Sequence, residues 1–270
     1  MKRSRLPRYA LGLTVFLIYA FLFGPLLITA AVSFNEVNQS RFPPEGFSLR
    51  WWQEALSPRW LDPLWFSLKL GIGVALATSL LALPFAWALV RGEFRGRGLL
   101  MALATGPLVL PSLVTGIALL QFIQAIGLGR MMGLPALMAA HMVICLPYCL
   151  RTIAISLAAM PPQVEKAAAS LGASPPRVLL EVTLPLISSG LFAGSVFAFI
   201  QSFTDYSVSL FLARAGQQPV TVTILSFLEF GFAPTLAAVA VLTLVVPLVL
   251  IAVVQRFFHI GNFIYGARDG

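Results

Sequence analysis

Charge is scarce in this chain: Asp, Glu, Lys and Arg make up 10% of 270 residues, against 59% apolar side chains. So few polar groups cannot cover the water-facing surface of a 29.2 kDa protein, and a soluble fold is excluded. Cysteine is nearly absent, with only Cys145 and Cys149, four residues apart in an apolar stretch where a helix disfavours a disulfide between them. No segment shows the ten-residue alternation of a barrel strand, and there is no low-complexity tract, long linker or soluble domain. A catalytic triad, paired carboxylates and a metal motif are also missing, which argues against a membrane enzyme. Ionisable residues inside apolar stretches are nearly limited to His141 and Asp205, too few for an ion-coupled secondary transporter.

What the chain does have is length of apolar run. Six stretches, near 9–33, 64–90, 99–125, 134–159, 188–212 and 233–258, each reach the roughly 20 residues that a hydrocarbon core of about 30 Å requires. Every backbone N–H and C=O in such a core must be paired within the protein, so these runs predict helices. The expected fold is an all-α polytopic membrane protein with six transmembrane helices in a single domain, 1–270. The first stretch follows Lys2, Arg3, Arg5 and Arg8 but is too long for a signal-peptide core of about 7–15 residues, so it reads as an uncleaved anchor.

Orientation follows from Lys and Arg, which concentrate in cytoplasmic loops. With the N-terminus inside, twelve of the 18 basic residues fall on the cytoplasmic side: Lys2, Arg3, Arg5, Arg8, Arg91, Arg95, Arg97, Arg151, Lys166, Arg177, Arg256 and Arg268. The formal charge of +8 then lies on that face, both termini are cytoplasmic, and a basic pI of about 10.2 needs no nucleic-acid partner. Arg91, Glu93, Arg95 and Arg97 read as a topology-setting loop, with a contact to a partner protein as the other possibility; Glu229 reads as a solvated outer loop residue or a contact on the outer side.

Pro25, Pro84, Pro107, Pro111, Pro147 and Pro247 fall inside the apolar runs, where each removes a donor and bends or breaks its helix. His141, Cys145 and Cys149 share one helical face, a spacing that suits a soft-metal or haem site and equally the packing of small residues between helices. The largest external loop, about 34–63, holds Trp51, Trp52 and Trp60, either as anchors at the membrane interface or as a docking surface for an extracytoplasmic partner.

The decisive segment is the polar insert at 160–187. Pro161 and Pro162 precede a run with Val164, Ala167, Ala168 and Leu171 at helical spacing, and Gly172 sits just past its end. Ser174 and Pro175 write a second start, whose helix is expected to run toward Leu184 and stop before Pro185. A small-residue apolar face on a short helix outside the membrane calls for a partner protein.

Here a resemblance emerges. Glu165-Lys-Ala-Ala-Ala-Ser-Leu-Gly172-Ala-Ser, followed after nine residues by Val182-Thr-Leu-Pro185, resembles the EAA loop of binding-protein-dependent ABC importer permeases. Counting back from Gly172, the motif's Glu position is held by Lys166, and Glu165 is one residue early. Pro43-Pro-Glu-Gly-Phe-Ser-Leu-Arg-Trp-Trp52, Pro107-Leu-Val-Leu-Pro-Ser-Leu-Val-Thr-Gly116 and Ser202-Phe-Thr-Asp-Tyr-Ser-Val-Ser-Leu-Phe211 are similar to segments of the spermidine/putrescine permease branch, in the expected order along nearly the whole chain.

The resemblance implies a type I ABC importer permease fold, with an anchor helix at 9–33, core helices over about 64–258 and a coupling helix-turn-helix at 160–187. It implies Glu165, Lys166, Ala167, Ala168, Leu171, Gly172 and Ala173 as the residues that meet an ATPase. Expected partners are a second permease, a different chain, together with an ATP-binding subunit dimer, a periplasmic solute-binding protein and the lipid bilayer, all at the bacterial inner membrane. The chain lacks the Gly-x-x-x-x-Gly-Lys-Ser/Thr phosphate loop, so no cofactor is expected on it and ATP and Mg are expected on the partner. Asp205, with Ser207 and Ser209, is expected either to line a path for a cationic solute or to cap nearby backbone and pair with a basic residue. Polyamine is the leading solute. Thr204 stands where the branch often has a second acid, which leaves aminophosphonate, ferric ion or another small solute open.

Overall fold

The apolar runs do form helices, but two of them break. The computed structural model describes residues 6–229, 231 and 233–258; Lys2, Arg3, Arg5 and Arg268, which entered the charge argument, lie outside them. Along the chain come α1 (Leu6–Val32), α2 (Arg50–Ala55), α3 (Pro58–Arg91), α4 (Arg97–Thr105), α5 (Ser112–Ala125), α6 (Leu134–Ala159) and α7 (Pro162–Ser170). There follow α8 (Pro175–Val178), α9 (Leu184–Leu186), α10 (Ser188–Thr204), α11 (Ser209–Leu212), α12 (Val220–Leu228) and α13 (Pro234–Phe258). Among the described residues the only extended pairing is one isolated bridge, Arg214 to Gln217.

Among the described residues four helices are individually long and apolar enough to cross a membrane, and the number reaches six when each of two bent helix pairs is one span. The third stretch, expected as one helix over 99–125, turns by 108° between Leu108 and Ser112. Pro111 lies there in extended conformation (φ −57°, ψ 130°), and its ring disfavours helix at the residue before it. The fifth stretch, expected over 188–212, is continuously helical only to Thr204; Asp205 leaves the helix at φ −65°, ψ 128°, and helix resumes for one turn at Ser209–Leu212. The second helix of the insert does not stop at Pro185. A π turn at Leu179–Thr183 widens the ladder just ahead of the proline, where its ring would otherwise meet the carbonyl four residues back, and the bend of 73° falls instead between Leu186 and Ser188.

The chain divides into two compact units, 1–62 with 223–246 and 63–222 with 247–270. In the first unit, α1 exposes Leu11, Phe16, Phe21 and Leu27, as a lipid-facing span requires. The loop after α1 has a core of its own. Asn35 is fully buried, donates through Nδ2 to the Gln39 carbonyl and accepts from the Glu45 N–H, both at 2.9 Å. Trp51 Nε1 donates to the Asn35 carbonyl at 2.6 Å, and Phe34 stacks on Phe47 and Trp52. Trp60 is buried against Phe227. Trp51 and Trp52 therefore hold this loop together, and neither of the two surface roles expected of Trp51 and Trp60 fits their burial, because their rings are consumed by packing.

In the second unit the central contact is α6 against α10. Gly190, Gly194 and Ala198 recur every fourth residue on α10, the small-residue spacing that lets membrane helices approach closely. A Cβ on Gly194 would stand 2.5 Å from Thr152 Oγ1 and 3.0 Å from the Cys149 backbone, and one on Gly190 would overlap Ser156. The two thiols lie in this seam: Cys145 Sγ donates to the Ala198 carbonyl at 3.4 Å and Cys149 Sγ to that of Gly194 at 3.1 Å. The face of His141, Cys145 and Cys149 is thus a packing face, and among the described residues no group of three His, Cys, Asp or Glu side chains could hold a metal ion. Gly194→Ala is expected to destabilise the protein by about 1–3 kcal/mol through overpacking, read as a lower melting temperature in detergent.

Candidate functional site

Two places carry the residues singled out by the sequence. The first is the hairpin after α6. Pro161 is extended (φ −61°, ψ 128°) and Pro162 occupies the first turn of α7, where a missing N–H costs nothing. The helix ends in a Schellman motif: Gly172 takes φ +90°, its N–H reaches the Ala169 carbonyl at 3.0 Å, and the Ala173 N–H reaches that of Ala168 at 3.2 Å. Ser174 starts α8 in the N-cap position, but its hydroxyl makes no capping bond.

The expected apolar face of α7 divides in two. Val164, Ala167 and Leu171 are exposed, with Leu171 at 90%, whereas Ala168 and Glu165 are half-buried. Lys166 and Gly172 are exposed and Ala173 is half-buried. A leucine this bare at the tip of a hairpin carries an unmet hydrophobic contact worth about 1.5–3 kcal/mol if covered.

Glu165, one residue early for the family motif, points back into its own chain. Its Oε2 accepts from Arg91 Nε at 2.9 Å and its Oε1 from Thr183 Oγ1 at 2.8 Å. Arg91 also donates through a terminal nitrogen to the Met160 carbonyl at 2.9 Å. By sequence alone Arg91 belongs to a topology-setting loop. Nothing in a linear sequence pairs a residue with one 74 positions away, and only the displaced acid hints at a separate task for Glu165.

The second place is the break in the fifth stretch. Asp205, 6% exposed, accepts at Oδ2 from the backbone N–H groups of Val208 (3.1 Å) and Ser209 (2.9 Å), so its carboxylate caps the turn into α11. His141, fully buried on α6, meets Ser202 Oγ at 2.8 Å through Nδ1, Ser209 Oγ at 3.0 Å through Nε2, and Asp205 Oδ2 at 3.5 Å. Thr221 Oγ1 donates to the Asp205 carbonyl at 2.8 Å. Of the three candidate pathway residues Asp205 and Ser209 are buried and Ser207 is half-buried. Gly116 on α5 backs this turn; a Cβ there would stand 2.9 Å from the Ser207 carbonyl oxygen and 3.0 Å from Val208 Cα. The glycine that ends the third-stretch signature thus serves the fifth, by close approach.

Apolar spans that bend ahead of Ser112 and Ser188 and break at Asp205, together with a proline-framed hairpin exposing a bare leucine, define a multi-pass helical membrane protein. Residues 78–259 match the family described as "Binding-protein-dependent transport system inner membrane component". The chain is 31% identical over 232 residues to the putrescine transport system permease protein PotI of Escherichia coli (strain K12), covering 84% of this chain and 82% of that one. It is 27% identical over 249 residues to the spermidine/putrescine transport system permease protein PotC of Haemophilus influenzae, covering 92% and 96%. A bacterial ABC transporter structure, from a system importing the acidic polysaccharide alginate, superposes with a TM-score of 0.73 at 14% identity, over 96% of this chain and 98% of that one, and shares the fold. The chain belongs to this family: it is an ABC importer permease subunit of the spermidine/putrescine branch and a multi-pass membrane protein.

Proposed function

We propose that this subunit forms, with a second and different permease, the path by which an ATP-driven importer brings a polyamine into the cell. The observation that carries the substrate is 27–31% identity to putrescine and spermidine/putrescine permeases over most of the chain. In this reading 1–270 acts as one permease domain in the bacterial inner membrane with both termini cytoplasmic, on the strength of its basic-residue bias. A solute-binding protein delivers the polyamine from outside; a related-fold importer is known in complex with such a periplasmic protein.

The ATPase is a separate subunit that keeps ATP and Mg. Its cleft receives α7, with Leu171, Ala167 and Val164 as apolar contacts, Lys166 as the exposed charge, Gly172 as the turn, and Glu165, Ala168 and Ala173 on the inward side. Closure of the ATP-bound dimer then favours one of two permease conformations, because the cleft contacts α7 differently in each. Asp205 and Ser209 sit behind Ser207 in the proposed pathway wall, where the buried negative charge attracts a polycation.

The test is uptake of radiolabelled putrescine by proteoliposomes holding the complete transporter, its binding protein and internal ATP. Accumulation that needs all three is expected. ATP-dependent accumulation of a different solute, with putrescine excluded, would remove polyamine from the proposal.

A further inference from the structure

Arg91, Glu165 and Thr183 form a clamp joining four segments of the second unit. Arg91 is in the last turn of α3, Glu165 on α7 and Thr183 in the π turn leading to α10, and the Met160 carbonyl that Arg91 also holds closes α6. The three side-chain bonds measure 2.8–2.9 Å, Thr183 is 1% exposed, and the ion pair is mostly shielded, at 14% and 16% side-chain exposure. Shielding matters, since an exposed pair contributes little whereas a charge-assisted bond away from water holds its geometry. By contrast, the Arg177–Glu181 pair on the same hairpin is about two-thirds exposed and lies within one helical stretch, so it ties nothing together.

We propose that Arg91 and Glu165 are positioning residues for energy coupling: they lock α7 to the ends of α3 and α6 and to the start of the path into α10, so that movement of α7 moves these helices with it. This deepens the coupling role proposed for α7 and rests on it. Without the clamp α7 keeps its chain connections to α6 through Met160 and Pro161 and to α8 through the Gly172 turn, and its packing on α8 and the π turn, but loses the tie to α3 that Arg91 supplies. The register shift of the acid has a function in this light. On α7 positions 165 and 168 share the half-buried face, whereas 166 is exposed, so an acid at 166 would point away from Arg91.

The experiment uses the assembled transporter with a nitroxide at Thr204→Cys, an exposed site at the far end of α10. The readout is the change in label mobility and accessibility on adding ATP and vanadate, which needs no transported solute. Glu165→Ala and Arg91→Ala are expected to keep nucleotide trapping and to lose the shift about tenfold in equilibrium terms, the size of one lost charge-assisted bond. Glu165→Gln, which keeps an acceptor for Thr183, is expected to lose less. The double variant is expected to lose less than the sum of the two alanine variants, because both break the shared Arg91–Glu165 bond and each leaves one of the other two in place. A full-size shift in properly assembled alanine variants, or additive losses in the double variant, would overturn the clamp. Failure of the unmodified chain to bind an ATPase would overturn the coupling role itself.

Discussion

Gly172→Pro is expected to cut ATP-driven uptake at least about tenfold while leaving the amount of permease in the membrane close to normal. Gly172 sits at φ +90°, a conformation proline cannot take, and its N–H is one of the two bonds that close α7. The site is open, with no neighbouring atom within 4 Å of where a Cβ would stand, so a side chain there meets no clash and the penalty comes from the backbone alone. Alanine at this position therefore isolates the strain of about 1–3 kcal/mol and is expected to reduce uptake less than proline does. Losing the Schellman turn re-aims α7 and displaces Leu171. The measurement is uptake together with ATPase activity in proteoliposomes: continued hydrolysis with lost uptake is the expected pattern, and undiminished uptake by an assembled proline variant would remove α7 from the coupling path.

Asp205→Ala is expected to be more damaging to the protein itself. It leaves the Val208 and Ser209 N–H groups buried with no acceptor, at about 1–3 kcal/mol each, and strips His141 of its nearest charge. Low yield of assembled transporter is the expected result. Asp205→Asn separates the cap from the charge, because its amide oxygen can still accept from both N–H groups. That variant is expected to assemble and to show a raised KM for putrescine, since the negative charge in the proposed pathway wall is gone. An unchanged KM in the asparagine variant would restrict Asp205 to the cap.

Both variants probe residues that the sequence singles out, yet for different physical reasons their roles are unequally legible. Gly172 is readable in full: a helix terminator is a local event, written by a glycine after a helical run and realised within about six residues. The limits of the fourth stretch are equally local, and Leu134–Ala159 coincides with the expected helix. Asp205 is readable only as an alternative, path or cap. Its partner His141 is far away in the sequence, and whether a carboxylate faces a ligand or its own backbone depends on how the chain folds after it.

Composition and apolar run length, without the alternation of barrel strands, determined that this is an all-helical membrane protein, because hydrocarbon leaves each backbone N–H and C=O to pair within its own segment, and a local motif sufficed to indicate the importer family. Tertiary structure alone decided that Asp205 turns back onto its own backbone, why Cys145 and Cys149 face α10, how Trp51 and Trp52 pack the loop after α1, and that Glu165 grips Arg91. Those outcomes depend on which distant surfaces meet. Contacts across 45 to 74 residues are set by close packing and directional bonds between helices, and hydropathy carries no information about either.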